Sequence, residues 1–151
     1  MSNTILFEDT FDVRSLNDNG KKFERVDRLH CRGTTYDVDM VVDVNSELFK
    51  TPPNSKIVVA LATTLSLSGA PDDGLYNPAS GPTLADPYDY VMHGRVYSVK
   101  LIENHSIEVQ ASFGGLLFRL KGEQAYLSAF VMDQQFFILM RSAGLNDVAE
   151  L

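Results

Sequence analysis

With 151 residues, 44% of them hydrophobic and 22% charged, the chain has ordinary globular composition and can bury about two thirds of its unfolded surface, which excludes the disordered class and calls for one domain, 1–151. Twenty acidic against 13 basic residues give a formal net charge of −7, which argues against a chain that grips a phosphate backbone unaided, since such affinity comes from Lys and Arg displacing counterions. The single cysteine, Cys31, excludes an internal disulfide or a thiolate metal cluster, and neither a basic apolar leader nor an apolar run of roughly 20 residues is present, so a soluble intracellular protein in a reducing compartment is expected.

From Leu6 to Val13, Phe7, Phe11 and Val13 share a face with Asp9 intruding, which predicts a strand. Asn17-Asp18-Asn19-Gly20 reads as a turn, with the next strand starting near Phe23. Phe23, Val26 and Leu29 recur every three positions, which suits a bulged strand or one helical turn, and a bulged strand running to Cys31 is the preferred reading. Tyr36, Val38, Met40, Val42 and Val44 alternate with Asp37, Asp39 and Asp43, so this strand should turn its aspartates to water. After Pro52-Pro53, Ile57 to Leu65 is a nearly continuous apolar run suited to a central strand. Ser66 to Pro87 then changes to Gly, Pro, Asp, Ser and Asn without period, the mark of a long functional or disordered loop.

Tyr88 to Val99, Ser106 to Phe113 and Leu116 to Lys121 are separated by short turns and predict an antiparallel meander of three strands. Within SFGGLLFRLKG (Ser112 to Gly122), the Gly114-Gly115 pair permits the positive φ angles of a tight hairpin or of a bulge at a barrel corner and leaves bare backbone for a close approach. Gln124 to Phe130 can hold a brief helix, and Phe136 to Met140 reads as a last buried strand ended by Arg141. The polar, acidic tail from Ser142 to Leu151 is expected to fray or to dock on a partner. Seven or eight short strands with little helix make an all-β, closed or nearly closed antiparallel barrel the expected fold, because closure removes edge strands. A sandwich accommodates the Ser66 to Pro87 excursion less well.

The chemistry-bearing residues do not assemble a catalytic site. His30, His93 and His105 lie apart and lack a second ligand at metal spacing, and strand alternation spreads Asp37, Asp39 and Asp43 about 7 Å apart or more. Asp72-Asp73-Gly74 lacks the ligand series of a calcium loop, no glycine-rich loop leads into a helix, and no serine sits in a nucleophile elbow. No cofactor is therefore expected. Tyr88, Tyr90, Tyr97, Phe113 and Phe118 could form a stacking platform for single-stranded bases, although only Arg95, Arg119 and Lys121 supply charge nearby.

LADPYDYVMHGRVY (Leu84 to Tyr97) resembles the small shared subunit of the eukaryotic nuclear RNA polymerases, the eighth by the usual count and common to polymerases I, II and III. FEDTFDV (Phe7 to Val13), KKFERVDRLHC (Lys21 to Cys31), DVNSELF (Asp43 to Phe49), VVALATTL (Val58 to Leu65) and SFGGLLFRLKG carry the same resemblance in order and spacing, across most of residues 5–141. It implies a barrel of about eight strands of the oligonucleotide/oligosaccharide-binding (OB) type, interrupted by a loop here at 66–87, and it implies no catalysis. It implies an assembly and stability role, docking on the largest polymerase subunit beside other subunits, in the nucleus including the nucleolus. Tail residues 142–151 fall outside the family pattern. The candidate partner-binding residues are Tyr88, Tyr90 and Met92, read as one strand face, with Gly114, Gly115 and Leu116, because interface anchors are commonly aromatic and sit beside bare backbone. The alternatives are a free-standing single-strand-binding OB protein and, further off, an enzyme using its acidic loops with a metal.

Overall fold

Eight strands and one turn of helix follow the alternating segments of the sequence in a computed structural model that describes residues 4–17, 25–67, 83–103 and 105–143. They are β1 (Ile5–Leu16), β2 (Val26–Gly33), β3 (Asp39–Asn45), β4 (Lys56–Ala62), β5 (Tyr90–Ile102), β6 (Ser106–Phe113), β7 (Leu116–Glu123), α1 (Gln124–Leu127) and β8 (Gln135–Ser142). All neighbours are antiparallel, and the order β1-β2-β3-β7-β6-β5-β8-β4 closes on itself as a barrel. The expected meander is β5-β6-β7. The expected short helix is α1, whose Leu127 is fully buried.

Period-two burial fills the barrel. Phe7, Phe11 and Val13 of β1, Leu29 and Cys31 of β2, Met40, Val42 and Val44 of β3, and Val109, Ala111 and Phe113 of β6 all point inward. The centre is aromatic: the Phe136 ring lies 5.2 Å from Phe113, 5.9 Å from Phe118 and 6.0 Å from Phe130. A smaller apolar cluster lies on the outer surface, where Ala60, Ala62 and Leu139 are covered by Leu65, Leu84, Ala85, Tyr88 and Phe137. The link from β4 to β5 must pass β8, which stands between them, and its two described ends pack together there through a Leu84 N–H to Leu65 C=O bond of 2.8 Å. Strands β4 and β8 are therefore apolar on both faces, which is why Ile57 to Leu65 and FFILM read as continuous apolar runs.

Several local expectations need correction. Residues 18–24 and 68–82 lie outside those described, so the Asp18-Asn19-Gly20 turn, the strand start at Phe23 and the middle of the long loop do too. From Val26 to Arg32, β2 pairs with β3 without interruption, and the bulge falls on β1 instead, where Arg14 is extra between the pairs Val13 with Cys31 and Ser15 with His30. Asp43 does not meet water: it is 5% exposed, held under Arg28 from the neighbouring strand. β5 begins at Tyr90 instead of Tyr88, and β8 runs one residue past Arg141.

Burial pushes the Cys31 thiol up to about 12 from 9.0, with the nearby Asp12 charge as a smaller cause. Because the folded value is the higher one, this contribution to stability is complete below pH 9 and is lost as pH rises toward 12. Denaturant titrations between these limits should show a decline of up to about 1.4 kcal/mol per pH unit that Cys31→Ala removes, and a maleimide should label Cys31 in the unfolded chain alone. Equal labelling of the native protein would contradict the burial.

Candidate protein interface at one end of the barrel

Antiparallel closure brings the C-terminal ends of β3 and β6 and the N-terminal ends of β5 and β7 to the same end of the barrel. The β6–β7 hairpin projects there. Gly114 and Gly115 have φ of 62° and 99°, both in the left-handed region, and the Gly115 N–H donates to Ser112 Oγ at 3.0 Å. A Cβ added at either glycine would meet nothing within 4 Å. Handedness therefore favours glycine here, and a Cβ on either residue would point into open space rather than against this chain's own backbone.

The base of the hairpin is tied down by a carboxylate. Ladder pairing of β3 with β7 stops at Val42 with Phe118, and one step further the Asp43 Oδ2 accepts the Leu117 N–H at 3.1 Å in place of a main-chain bond. The same carboxylate accepts both Arg28 Nε at 2.7 Å and Nη2 at 3.1 Å. The hydrogen bonds to Asp43 raise the pKa of the guanidinium against the opposing effect of its own partial burial, and the carboxylate charge raises it further. β2, β3 and β7 thus meet at one fork.

Tyr90 lies beneath this end, 7% exposed, with its ring stacked on Phe49 at 5.4 Å. Its hydroxyl oxygen accepts the Asn45 N–H at 2.9 Å and its O–H faces Met92 Sδ at 3.2 Å. Burial raises the pKa of the hydroxyl, and the Asn45 bond opposes that effect. Met92 and Leu116 are partly buried against the same core. Five of the six sequence candidates, Tyr90, Met92, Gly114, Gly115 and Leu116, therefore belong to one end of the barrel, Tyr90 as its support instead of its surface. Tyr88 does not share their face. It precedes β5 and lies in the outer cluster, with the Arg141 guanidinium 5.9 Å from its ring centre. Sequence reading missed Leu117 and Leu48, which are 43% and 70% exposed at this end. The alternation of Leu117 with Arg119 and Lys121 marked it as outward, whereas Leu48 in the turn after β3 carried no such signal.

The five rings of the suggested stacking platform do not form one surface. Phe113 and Phe118 are core, Tyr90 is buried, Tyr88 is on the flank, and Tyr97 is the extra residue of a bulge between Val96 and Ser98. Asp37 and Asp39 pair with Arg32 at the surface. Among the described residues no group of three or more His, Cys, Asp or Glu side chains is placed to hold a metal, and no helix is long and apolar enough to cross a membrane. Asp72-Asp73-Gly74 lies outside the described residues.

A family described as RNA polymerase Rpb8 matches residues 8–142. The "DNA-directed RNA polymerases II, IV and V subunit 8B" of Arabidopsis thaliana is 42% identical over 93% of this chain and 97% of its own length. The "Probable DNA-directed RNA polymerases I, II, and III subunit RPABC3" of Caenorhabditis elegans is 38% identical, over 91% of this chain and 95% of its own. The Saccharomyces cerevisiae subunit RPABC3 of RNA polymerases I, II and III is 34% identical over 93% of this chain and 100% of its own. The matched stretch begins within β1 and ends with β8, so it spans nearly all of the barrel, and the chain belongs to the RNA polymerase Rpb8 family.

Proposed function

We propose that this protein is a non-catalytic subunit of the nuclear DNA-directed RNA polymerases I, II and III, located in the nucleus and nucleolus. It docks on the largest subunit and stabilises the assembled enzyme. The observation that carries the docking reading is the hairpin end: a turn whose two glycines face open space, with exposed Leu117 and Leu48 at the same end, held in place by the Asp43 fork and by Tyr90. A rigid, partly apolar projection loses little conformational entropy when covered, which suits a permanent interface. Gly114, Gly115 and Leu116 would touch the partner, Tyr90 and Met92 would hold them in place, and Tyr88 would lie at the margin.

The test is affinity purification of the tagged chain from nuclear extract at high salt, beside Gly114→Arg. At φ of 62° an L-residue is tolerated for about 1–2 kcal/mol, so the variant folds while placing a long cation on the turn. The wild type is expected to retain the large subunits of all three polymerases, and the variant to lose them at least tenfold. A folded Gly114→Arg that copurifies like the wild type would remove the hairpin from the interface. The polymerases recovered also decide the set served, which the names of the plant and animal relatives give differently.

A further inference from the structure

Closure of the barrel leaves one edge of the first half of β1 without a paired strand. β1 pairs with β4 from Ile5 to Asp12, but with β2 only from Phe11 to Leu16, because β2 stops at Gly33. The backbone is pressed tight there: a Cβ on Gly33 would stand 2.6 Å from the Tyr36 carbonyl oxygen and 2.7 Å from Asp9 Oδ2. The chain turns away over residues 34–36, and Asp9 holds that turn by accepting the Thr35 and Tyr36 N–H groups. Main-chain groups alternate between the two edges of a strand. Val13 bonds to Ser55 and Asn54 on the β4 side and the Thr10 carbonyl accepts the Thr34 N–H on the β2 side, so Glu8 presents its N–H and C=O to the β2 side, where no strand pairs with it.

That open edge borders a cleft of about 300 Å³ lined by Leu6, Phe7, Glu8, Tyr36, Ala125 and Tyr126. Its aromatic wall is continuous, with Tyr36 lying 5.4 Å from Phe7 and 4.8 Å from Tyr126, and both tyrosines are 38% exposed. The Glu8 side chain is in no ion pair or hydrogen bond among the described residues. We propose that this half-edge is a strand-addition site for an extended segment of a neighbouring polymerase subunit, which pairs with Glu8 and lays an arginine against Tyr36 and Tyr126. A main-chain donor and acceptor side by side on one strand edge, as Glu8 presents them, are matched by another extended backbone. An unpaired carboxylate beside aromatic faces, on a chain of net charge −7, selects a planar cation that can stack and donate at once. The inference rests on membership of the polymerase and is independent of the hairpin, which lies at the other end of β7 from α1.

Hydrogen exchange followed by mass spectrometry on the polymerase-bound chain and on the free chain tests it. Fragments covering residues 5–9 should exchange at least tenfold more slowly in the complex. Glu8→Pro removes an N–H that β4 does not use, so the free barrel should keep its melting temperature within a few degrees while the variant loses at least tenfold in assembly. Glu8→Gln, which keeps the backbone and removes the charge, should weaken assembly severalfold. Unchanged exchange of residues 5–9 in the bound wild type would overturn the proposal whether or not Glu8→Pro folds, and so would full assembly of a folded Glu8→Pro. Failure of Gly114→Arg to disturb assembly would strike the hairpin and leave this edge standing.

Discussion

Phe136→Ala is expected to lower the unfolding free energy by about 3–5 kcal/mol, the largest loss from any single core truncation in this barrel. The ring has no solvent exposure and is shared by Phe113, Phe118 and Phe130, so its removal opens a void bounded by three rigid aromatic faces that cannot collapse into it. At this chain length each kcal/mol moves the melting midpoint by roughly 2–4 °C, which predicts a fall on the order of 10 °C in a calorimetric scan. Phe136→Leu fills most of the volume and should cost about 1–1.5 kcal/mol. A midpoint within 2 °C of wild type for the alanine variant would show that the four rings do not act as one cluster.

Asp43→Ala should cost about 2–4 kcal/mol, although it sits at a position that looks like solvated surface. Two groups lose their acceptor together, the Arg28 guanidinium and the Leu117 N–H. The estimate stays below that for a fully buried pair because the Arg28 side chain is 35% exposed and water can reclaim part of it. Asp43→Asn keeps an acceptor for Leu117 and should lose about half as much, and the effect of Asp43→Ala should shrink in an Arg28→Met background. Chemical denaturation of the wild type, Asp43→Ala, Asp43→Asn, Arg28→Met and the Arg28→Met/Asp43→Ala double variant measures both statements. Equal losses in the two backgrounds would show that the guanidinium is not part of the effect.

The strands were legible because alternation is a local signal: Met40, Val42 and Val44 announce an inward face whatever lies beside them. The hairpin was legible because two positive φ angles in succession leave little choice but glycine. Asp43 was misread for the converse reason. Its position on the outer face was right, but whether an outer face meets water depends on the side chain across the ladder, and Arg28 is set opposite it by register. The bulge was assigned to β2 from the spacing of Phe23, Val26 and Leu29, yet a bulge belongs to a pair of strands, and the extra residue is Arg14 on the partner. Among the candidate site residues, Tyr88 and Tyr90 would share a face only if one strand contained both, and the strand begins between them. The burial of Tyr90 follows from a hydrogen bond to Asn45, a partner 45 positions distant. The open half of β1 left no trace in composition at all, since it is created by where β2 ends.

The position of β8 bears on how the protein is made. The last described strand lies between β4 and β5, setting Arg141 opposite Val58 on one side and Ile138 opposite Met92 on the other. A ribosome delivers it after the seven other described strands have emerged, so until Gln135–Ser142 is synthesised the nascent sheet exposes the apolar β4 edge and lacks Phe136 at its centre. Closure of the barrel must wait for β8, at the cost of exposure to aggregation in the interval. A message truncated before codon 135 would yield a chain with seven of the eight strands and no route to a closed barrel.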